Sequence, residues 1–206
     1  MSDRARPGPR RLIAAVGSLA LASWPAGAEA HLVTTGLGPL YDGLLHFALT
    51  PEDLVPALAL ALLAGLRGAA HGRRALFVLP AAWLLGGLIG VTAPGGVSSV
   101  ATSLSFVVVG GLIAADTRLP LAATTLLAAL LGLGHGFLNG SSLARPGIGV
   151  VGLLGIAAAV FALVALGASI VIPLRATWAR VVVRVAGSWI AAVGLLLVGW
   201  GLRPGT

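Results

Sequence analysis

Residues 75–91 read ALFVLPAAWLLGGLIGV and contain no charged side chain. A helix needs roughly 20 apolar residues to cross the hydrocarbon core of a bilayer, so this run is long enough to span it with its flanks. Five further runs of the same character occupy residues 52–66, 97–115, 119–138, 148–172 and 181–202. Together they predict an all-α, polytopic protein with six transmembrane helices.

The composition supports this interpretation. The chain has 206 residues, of which 58% are hydrophobic and 9% charged, and its mean hydropathy is +1.03. A net charge of +7 would indicate nucleic-acid binding in a water-soluble protein. Here the arginines fall between the apolar runs, so we interpret them as topology signals and expect the lipid bilayer, not nucleic acid, as a partner.

The N-terminus has the pattern of a secretory signal peptide. Four arginines precede a short apolar segment at residues 12–24, and Ala28-Glu29-Ala30 matches an A-x-A cleavage site. We therefore predict a signal peptide at residues 1–30 and a single membrane domain at residues 31–206, with an uncleaved first helix as the alternative. The chain has no cysteine, and Met1 is its one methionine, so the mature protein contains no sulfur and no thiolate metal site.

The arginines also predict the orientation. If His31 lies outside the cytoplasm, the first, third and fifth connections face inward. Seven arginines then lie on or beside the inner side, and two lie outside. The inner set is Arg67, Arg73, Arg74, Arg118, Arg175, Arg180 and Arg184; the outer set is Arg145 and Arg203. This positive-inside bias predicts a bacterial inner-membrane protein with both mature termini in the periplasm.

Ionisable residues are concentrated just before and at the start of the first span. Asp42, His46, Glu52 and Asp53 lie close together in the chain. Thr50 followed by Pro51 is typical of a helix start, and carboxylates in a first turn interact favourably with the helix dipole. That is a purely structural explanation for Glu52 and Asp53. Asp42 and His46 precede them in an apolar segment that we expect to dip into the outer membrane interface.

The fourth predicted span brings two further polar residues to the same side. His135 lies about 24 Å along it from the cytoplasmic end, and Asn139 follows four residues later on the same helix face. Gly132, Gly136 and Gly140 recur every four residues, a spacing that lets helices approach closely. Close approach would bring His135 within reach of the first span, although packing alone also explains these glycines.

Imidazole, carboxylate and amide donors without sulfur favour nickel, cobalt or zinc over Cu(I), magnesium or calcium. The candidate metal ligands are His46, Glu52, Asp53, His135, Asn139, Asp42 and, if the leader is cleaved, His31. A buried histidine that only makes a hydrogen bond between helices is the alternative. Ionisable residues at membrane depth nevertheless favour function.

These features resemble the HupE/UreJ family of bacterial membrane proteins. The similarity rests on the leader, on His46 followed by Glu52-Asp53 at the first span, and on His135-Gly136 in the fourth. It implies a six-helix nickel or cobalt permease, often found with hydrogenase or urease genes. The family's first motif usually ends in histidine where this chain has Asp53, and its fourth-span motif often has a second histidine at the position of Asn139. Both changes exchange nitrogen for oxygen donors and put nickel preference in doubt.

The resulting hypothesis is facilitated diffusion of Ni²⁺ or Co²⁺, or of Zn²⁺, between the first and fourth spans, with no prosthetic group. A non-transporting metal-binding or accessory protein for metalloenzyme maturation is the main alternative. A homo-oligomer is compatible with the sequence. Enzymatic activity is not expected, because the chain has no G-x-S-x-G elbow and no general base is evident for Ser141 or Ser142.

Overall fold

The computed structural model describes residues 35–92, 99–143 and 149–203. Every regular element in these ranges is an α-helix, which confirms the all-α prediction. The helices are α1 (Pro39–Leu49), α2 (Pro51–Arg67), α3 (Ala69–Thr92), α4 (Ser99–Ala114), α5 (Leu121–Leu143), α6 (Gly149–Val171) and α7 (Thr177–Gly201). The predicted signal peptide and His31 lie outside the described residues.

Several helices identify a multi-pass membrane protein. By length and composition, α3, α5, α6 and α7 can each cross a bilayer. The pair α1 and α2 reaches the required length only together, and it is bent by 76° at the break between its helices. The remaining apolar helix, α4, is shorter. Each predicted span thus corresponds to one helix from α2 to α7, while α1 is an additional helix where we expected an interfacial segment.

Two local features explain these boundaries. Gly68 separates α2 from α3 by a single residue and has φ 104°, a conformation that glycine adopts readily. The predicted basic connection at residues 67–74 is therefore mostly helical. Thr50 and Pro51 occupy the predicted N-cap and first positions of α2. The Thr50 hydroxyl, however, donates backward to the His46 carbonyl oxygen at 2.7 Å, so it closes α1 and does not cap α2.

Helices α3 and α5 are in close contact through their glycines. A Cβ atom added to Gly132, Gly136 or Gly140 of α5 would overlap backbone atoms of α3, and the same holds in reverse for Gly86 and Gly90. The glycine spacing thus marks a close helix contact, as expected. The helix that contacts these glycines is α3, whereas the expected neighbour was the first predicted span, which is α2.

The periphery is formed by α4 and α7. Helix α7 packs on α4 along a narrow stripe that includes Gly187 and Gly194, and its outer face exposes Trp178, Trp189 and Trp200. Because α4 contacts α7 and α2 extensively but barely touches α5, a crevice remains between α4 and α5. Ser105 of α4 and His135 of α5 line this crevice.

A polar tie joins three segments at the end of the bundle where α2 finishes. Asp116, in the turn between α4 and α5, has φ 49°. Arg67 donates to its carboxylate, and Arg180 of α7 lies 3.5 Å from the same oxygen. Burial acts to raise the pKa of Asp116, but the hydrogen bond and charge of Arg67, with the charges of Arg180 and Arg184, outweigh it and hold the pKa below its usual value.

We predict that Gly136→Ala destabilises the protein by about 3 kcal/mol, because its methyl group would meet the Trp83 backbone and force α3 and α5 apart. Gly134→Ala is the matched control. A Cβ there meets no atom within 4 Å, so helix propensity should leave stability unchanged or raise it by about 0.5 kcal/mol. The measurement is thermal unfolding in detergent. Equal midpoints for the two variants would contradict the close α3–α5 contact.

We predict that Asp116→Asn lowers stability at neutral pH by about 2 kcal/mol, since it leaves the largely buried Arg67 without its carboxylate. Asparagine also tolerates a positive φ, so the turn itself is kept. Because folding lowers the pKa of Asp116, its contribution is complete above the unfolded value of about 3.9 and is lost as pH falls through the folded value. The difference between variant and wild type should therefore shrink below about pH 4; a pH-independent difference would exclude the ion pair as its cause.

Candidate functional site

Three of the predicted metal-site residues meet inside the bundle. The carboxylate of Asp53 accepts hydrogen bonds at both oxygens: Oδ1 lies 2.8 Å from His135 Nδ1, and Oδ2 lies 2.7 Å from Asn139 Nδ2. Their exposed fractions are 4% for Asp53, 3% for His135 and 5% for Asn139. We call these three residues the Asp53 cluster.

The helices explain why these residues converge. Asp53 lies in the first turn of α2, directly after the 76° break. His135 and Asn139 are one turn apart on α5, so both can face α2 at once. The predicted group at this end of the bundle also included His46 and Glu52, and the structure brings together only Asp53, His135 and Asn139.

Trp83 of α3 extends the cluster, although sequence reasoning did not select it. Its Nε1 donates to Asn139 Oδ1 at 2.9 Å, and its ring lies 5.3 Å from the His135 ring between centroids. Phe47 of α1 packs edge-on against the same indole. A buried indole N–H requires a hydrogen-bond acceptor. The position of Trp83 in the middle of an apolar run could therefore have indicated that it contacts a polar residue.

Ser105 of α4 is the second residue that sequence reasoning missed. Its Oγ lies 3.1 Å from His135 Nε2, and the hydroxyl donates to the Thr102 carbonyl oxygen at 2.6 Å. Both Ser105 and His135 line the crevice between α4 and α5, which has a volume of about 350 Å³. The two ring nitrogens of His135 therefore differ, since Nδ1 points to the buried carboxylate and Nε2 to the crevice.

The remaining predicted residues lie outside the cluster. Asp42 accepts from the backbone N–H and hydroxyl of Thr35 at 2.6 and 2.7 Å and so fixes the start of α1. Glu52 is exposed and His46 half-buried. In residues 35–92, 99–143 and 149–203, no group of three or more histidine, aspartate or glutamate side chains is arranged to hold a metal ion.

The chain matches a family model described as HupE / UreJ protein over residues 19–197. The chain belongs to the HupE/UreJ family. This confirms the resemblance inferred from the two polar segments. The family is associated with nickel or cobalt transport or with urease and hydrogenase maturation. Searches of curated proteins and of solved structures returned no match.

The two departures from the HupE/UreJ motifs contact each other. Asp53 and Asn139 stand at the two positions where the resemblance implies histidines, and Asn139 Nδ2 donates to Asp53 Oδ2. A carboxylate that accepts two bonds in an apolar interior avoids much of the cost of burial. The cluster therefore places carboxyl oxygens next to an imidazole, and oxygen and nitrogen donors of this kind suit a divalent transition-metal ion.

We predict that Asn139→Leu destabilises the protein by about 3 kcal/mol, since it leaves the Trp83 indole N–H and one Asp53 oxygen without partners. The matched control on α5 is Thr125→Val, because the Thr125 hydroxyl bonds only within its own helix, to the Leu121 carbonyl oxygen. The control should change stability by less than about 1 kcal/mol. Thermal unfolding in detergent compares the two, and equal midpoints would show that the buried network contributes nothing to stability.

Proposed function

We propose that this HupE/UreJ protein is a permease that moves a divalent transition-metal ion, nickel or cobalt first and zinc next, across the bacterial inner membrane. The observation that carries the proposal is the buried Asp53 cluster, in which a carboxylate, an imidazole and an amide meet among apolar helices. Ionisable groups at this depth are costly, and in membrane proteins they mark ion pathways.

The chemistry of the cluster supports a borderline cation. Its donors are nitrogen and oxygen, which suit nickel, cobalt and zinc. Family membership supports the same class of ion. Asp53 lies in the first turn of α2 and not at mid-span, so a chain of carboxylates for proton transfer across the membrane is not evident. Facilitated diffusion is the corresponding mechanism.

The proposed topology has six spans, α2 to α7. Helix α4 is about 24 Å long and α2 is about 26 Å long. Each therefore needs its flanking residues, or local thinning of the bilayer, to cross the membrane. Asp53 and the Arg67–Asp116 tie lie at opposite ends of α2. With the arginines inside, the cluster faces the periplasm, as do both termini of the mature chain.

An accessory role in metalloenzyme maturation is the second candidate, and one observation favours it. Each side-chain nitrogen and oxygen of the Asp53 cluster already has a hydrogen-bond partner within the protein. Such a closed arrangement suits an accessory protein whose site stays unchanged until a partner protein binds. Transport remains the stronger proposal because ionisable side chains buried among membrane helices mark ion pathways.

Ser105, His135 and Asp53 also have the connectivity of a hydrolase triad. We propose no enzymatic role for them. Ser105 lies within α4, where the backbone N–H groups are used by the helix, so no pair of donors is left beside it for an oxyanion.

We predict that His135→Ala reduces cellular accumulation of nickel or cobalt to the level of cells without the protein, because it removes the one imidazole of the cluster. His71→Ala is the matched control, since His71 contacts the Leu119 carbonyl oxygen near the opposite end of the bundle and should leave uptake unchanged. Metal content is measured by mass spectrometry at equal amounts of membrane-inserted protein. Undiminished uptake in the His135 variant would refute the permease proposal.

A further inference from the structure

Helices α3 and α5 run in the same direction and begin at the same end of the bundle. A Cβ atom at Gly132 of α5 would meet the Leu79 carbonyl of α3, and one at Gly140 would meet the Gly87 carbonyl. The two contacts are eight residues apart on both helices and occur in the same order, so the helices are parallel. Their starts lie at the end of the bundle where α2 finishes, which is the cytoplasmic end in the proposed topology.

Two grooves lie beside each other at the starts of these helices. The first has a volume of about 550 Å³ and is lined by Ala70, Arg73, Arg74, Phe77, Val78 and Leu121. The second has a volume of about 540 Å³ and is lined by Arg74, Leu121, Ala122, Thr125, Leu126 and Ala129. Arg74 and Leu121 line both grooves. Arg74 therefore stands between two surfaces whose other members are mostly apolar.

The charges of Arg73 and Arg74 are not balanced by the protein. Both side chains are exposed. Asp116 is the one acidic residue that the described chain has at this end of the bundle, and Arg67 and Arg180 already bind it. Two adjacent positive charges beside apolar grooves therefore favour an anion from outside the protein.

The depth of the two arginines matches that of lipid phosphates. Helix α3 has 24 residues and is about 36 Å long, which exceeds the roughly 30 Å of the hydrocarbon core. Arg73 and Arg74 lie about 6 to 8 Å from its start, close to the boundary between headgroups and acyl chains. From there their long side chains can reach the headgroups while their methylene groups stay among apolar neighbours.

We propose that the starts of α3 and α5 form a binding site for an anionic phospholipid of the inner leaflet. Arg73 and Arg74 bind its phosphate, and its acyl chains lie in the two grooves that flank Arg74. Charge complementarity identifies the headgroup, since basic pockets between membrane helices on the cytoplasmic side bind anionic headgroups. The assignment to the inner leaflet rests on the proposed topology, whereas the site itself requires no transport activity.

The apolar lining distinguishes a lipid from a free phosphate ion. A phosphate ion would use the guanidinium groups, which bind phosphate oxygens through charge-assisted hydrogen bonds, and would leave both grooves uncovered. A phospholipid covers them as well. Because it contacts both helices at their starts, it stabilises the folded protein in proportion to its binding.

The test is a lipid titration of the purified protein in detergent, followed by its thermal unfolding midpoint. Phosphatidylglycerol should raise the midpoint at a lower concentration than phosphatidylcholine with the same acyl chains. Arg74→Gln should require about 5-fold more phosphatidylglycerol, and Arg73→Gln with Arg74→Gln about 30-fold more. These factors follow from about 1 kcal/mol for each arginine near an anionic lipid surface and tenfold for each 1.4 kcal/mol.

Arg175→Gln is the matched control for charge. Arg175 is an exposed arginine in the connection between α6 and α7, and it lines neither groove. This variant should titrate like the wild type. Equal responses to the two lipids, or an equal loss of response in Arg175→Gln and in the double variant, would overturn the proposal, because the effect would then come from net charge and not from a site.

A groove-filling variant tests the acyl chains separately. Ala122→Phe occupies the second groove without changing charge and should weaken phosphatidylglycerol binding several-fold. Ala158→Phe, at an exposed alanine of α6 outside both grooves, is its control and should leave binding unchanged. Inorganic phosphate should not shift the midpoint. Unchanged binding in folded Ala122→Phe, or a shift with phosphate equal to that with lipid, would refute the lipid assignment. The titration contains no metal, so its result is independent of the permease proposal.

Discussion

The structure depends on placing one carboxylate in an apolar bundle. Asp53 accepts a bond at each oxygen, from His135 and from Asn139 of α5. Asn139 in turn accepts from Trp83 of α3, and His135 meets Ser105 of α4. Three helices therefore contribute side chains to a network around a group that would be costly to bury alone. The glycine contact between α3 and α5 is part of the same solution, because it brings the Trp83 indole within reach of Asn139.

A second polar tie gives the bundle two different ends. At the end of α2 that lies away from Asp53, Arg67 and Arg180 hold Asp116 in the turn after α4. Helix α4 is thus held at one end through Asp116 and near its middle through Ser105, while its side toward α5 stays mostly open. This arrangement explains how a helix that barely touches α5 can still place a hydroxyl beside His135. It also makes α4 the element whose displacement would change the surroundings of His135 most.

The sequence predicted the helical class and the approximate positions of helices α2 to α7, because long apolar runs have few alternatives in a bilayer. It also predicted that Asp53, His135 and Asn139 would converge. It grouped Asp42, His46 and Glu52 with them by proximity in the chain, and there the reasoning did not account for the 76° break between α1 and α2. Trp83 and Ser105 carried no periodic or motif signal. The roles of Trp83 and Ser105 depend on which faces of the apolar helices contact each other. Close glycine contacts determine those faces, and the sequence alone does not show which helices the glycines bring together.

The same contacts give the two departures from the HupE/UreJ motifs a common physical basis. Asp53 and Asn139 are bonded to each other, so the two changes act as one unit: the amide donates and the carboxylate accepts. A histidine at position 53 could not offer the two acceptor oxygens that bond to His135 Nδ1 and to the Asn139 amide. The Asp53–Asn139 pair therefore fixes a single imidazole, that of His135. Histidines at all three positions would instead compete with one another as ligands. A site with one nitrogen donor and surrounding oxygens discriminates less strongly for nickel than a cluster of imidazoles does. In the proposed permease, the Asp53–Asn139 pair would therefore determine which side-chain atoms remain to bind the ion.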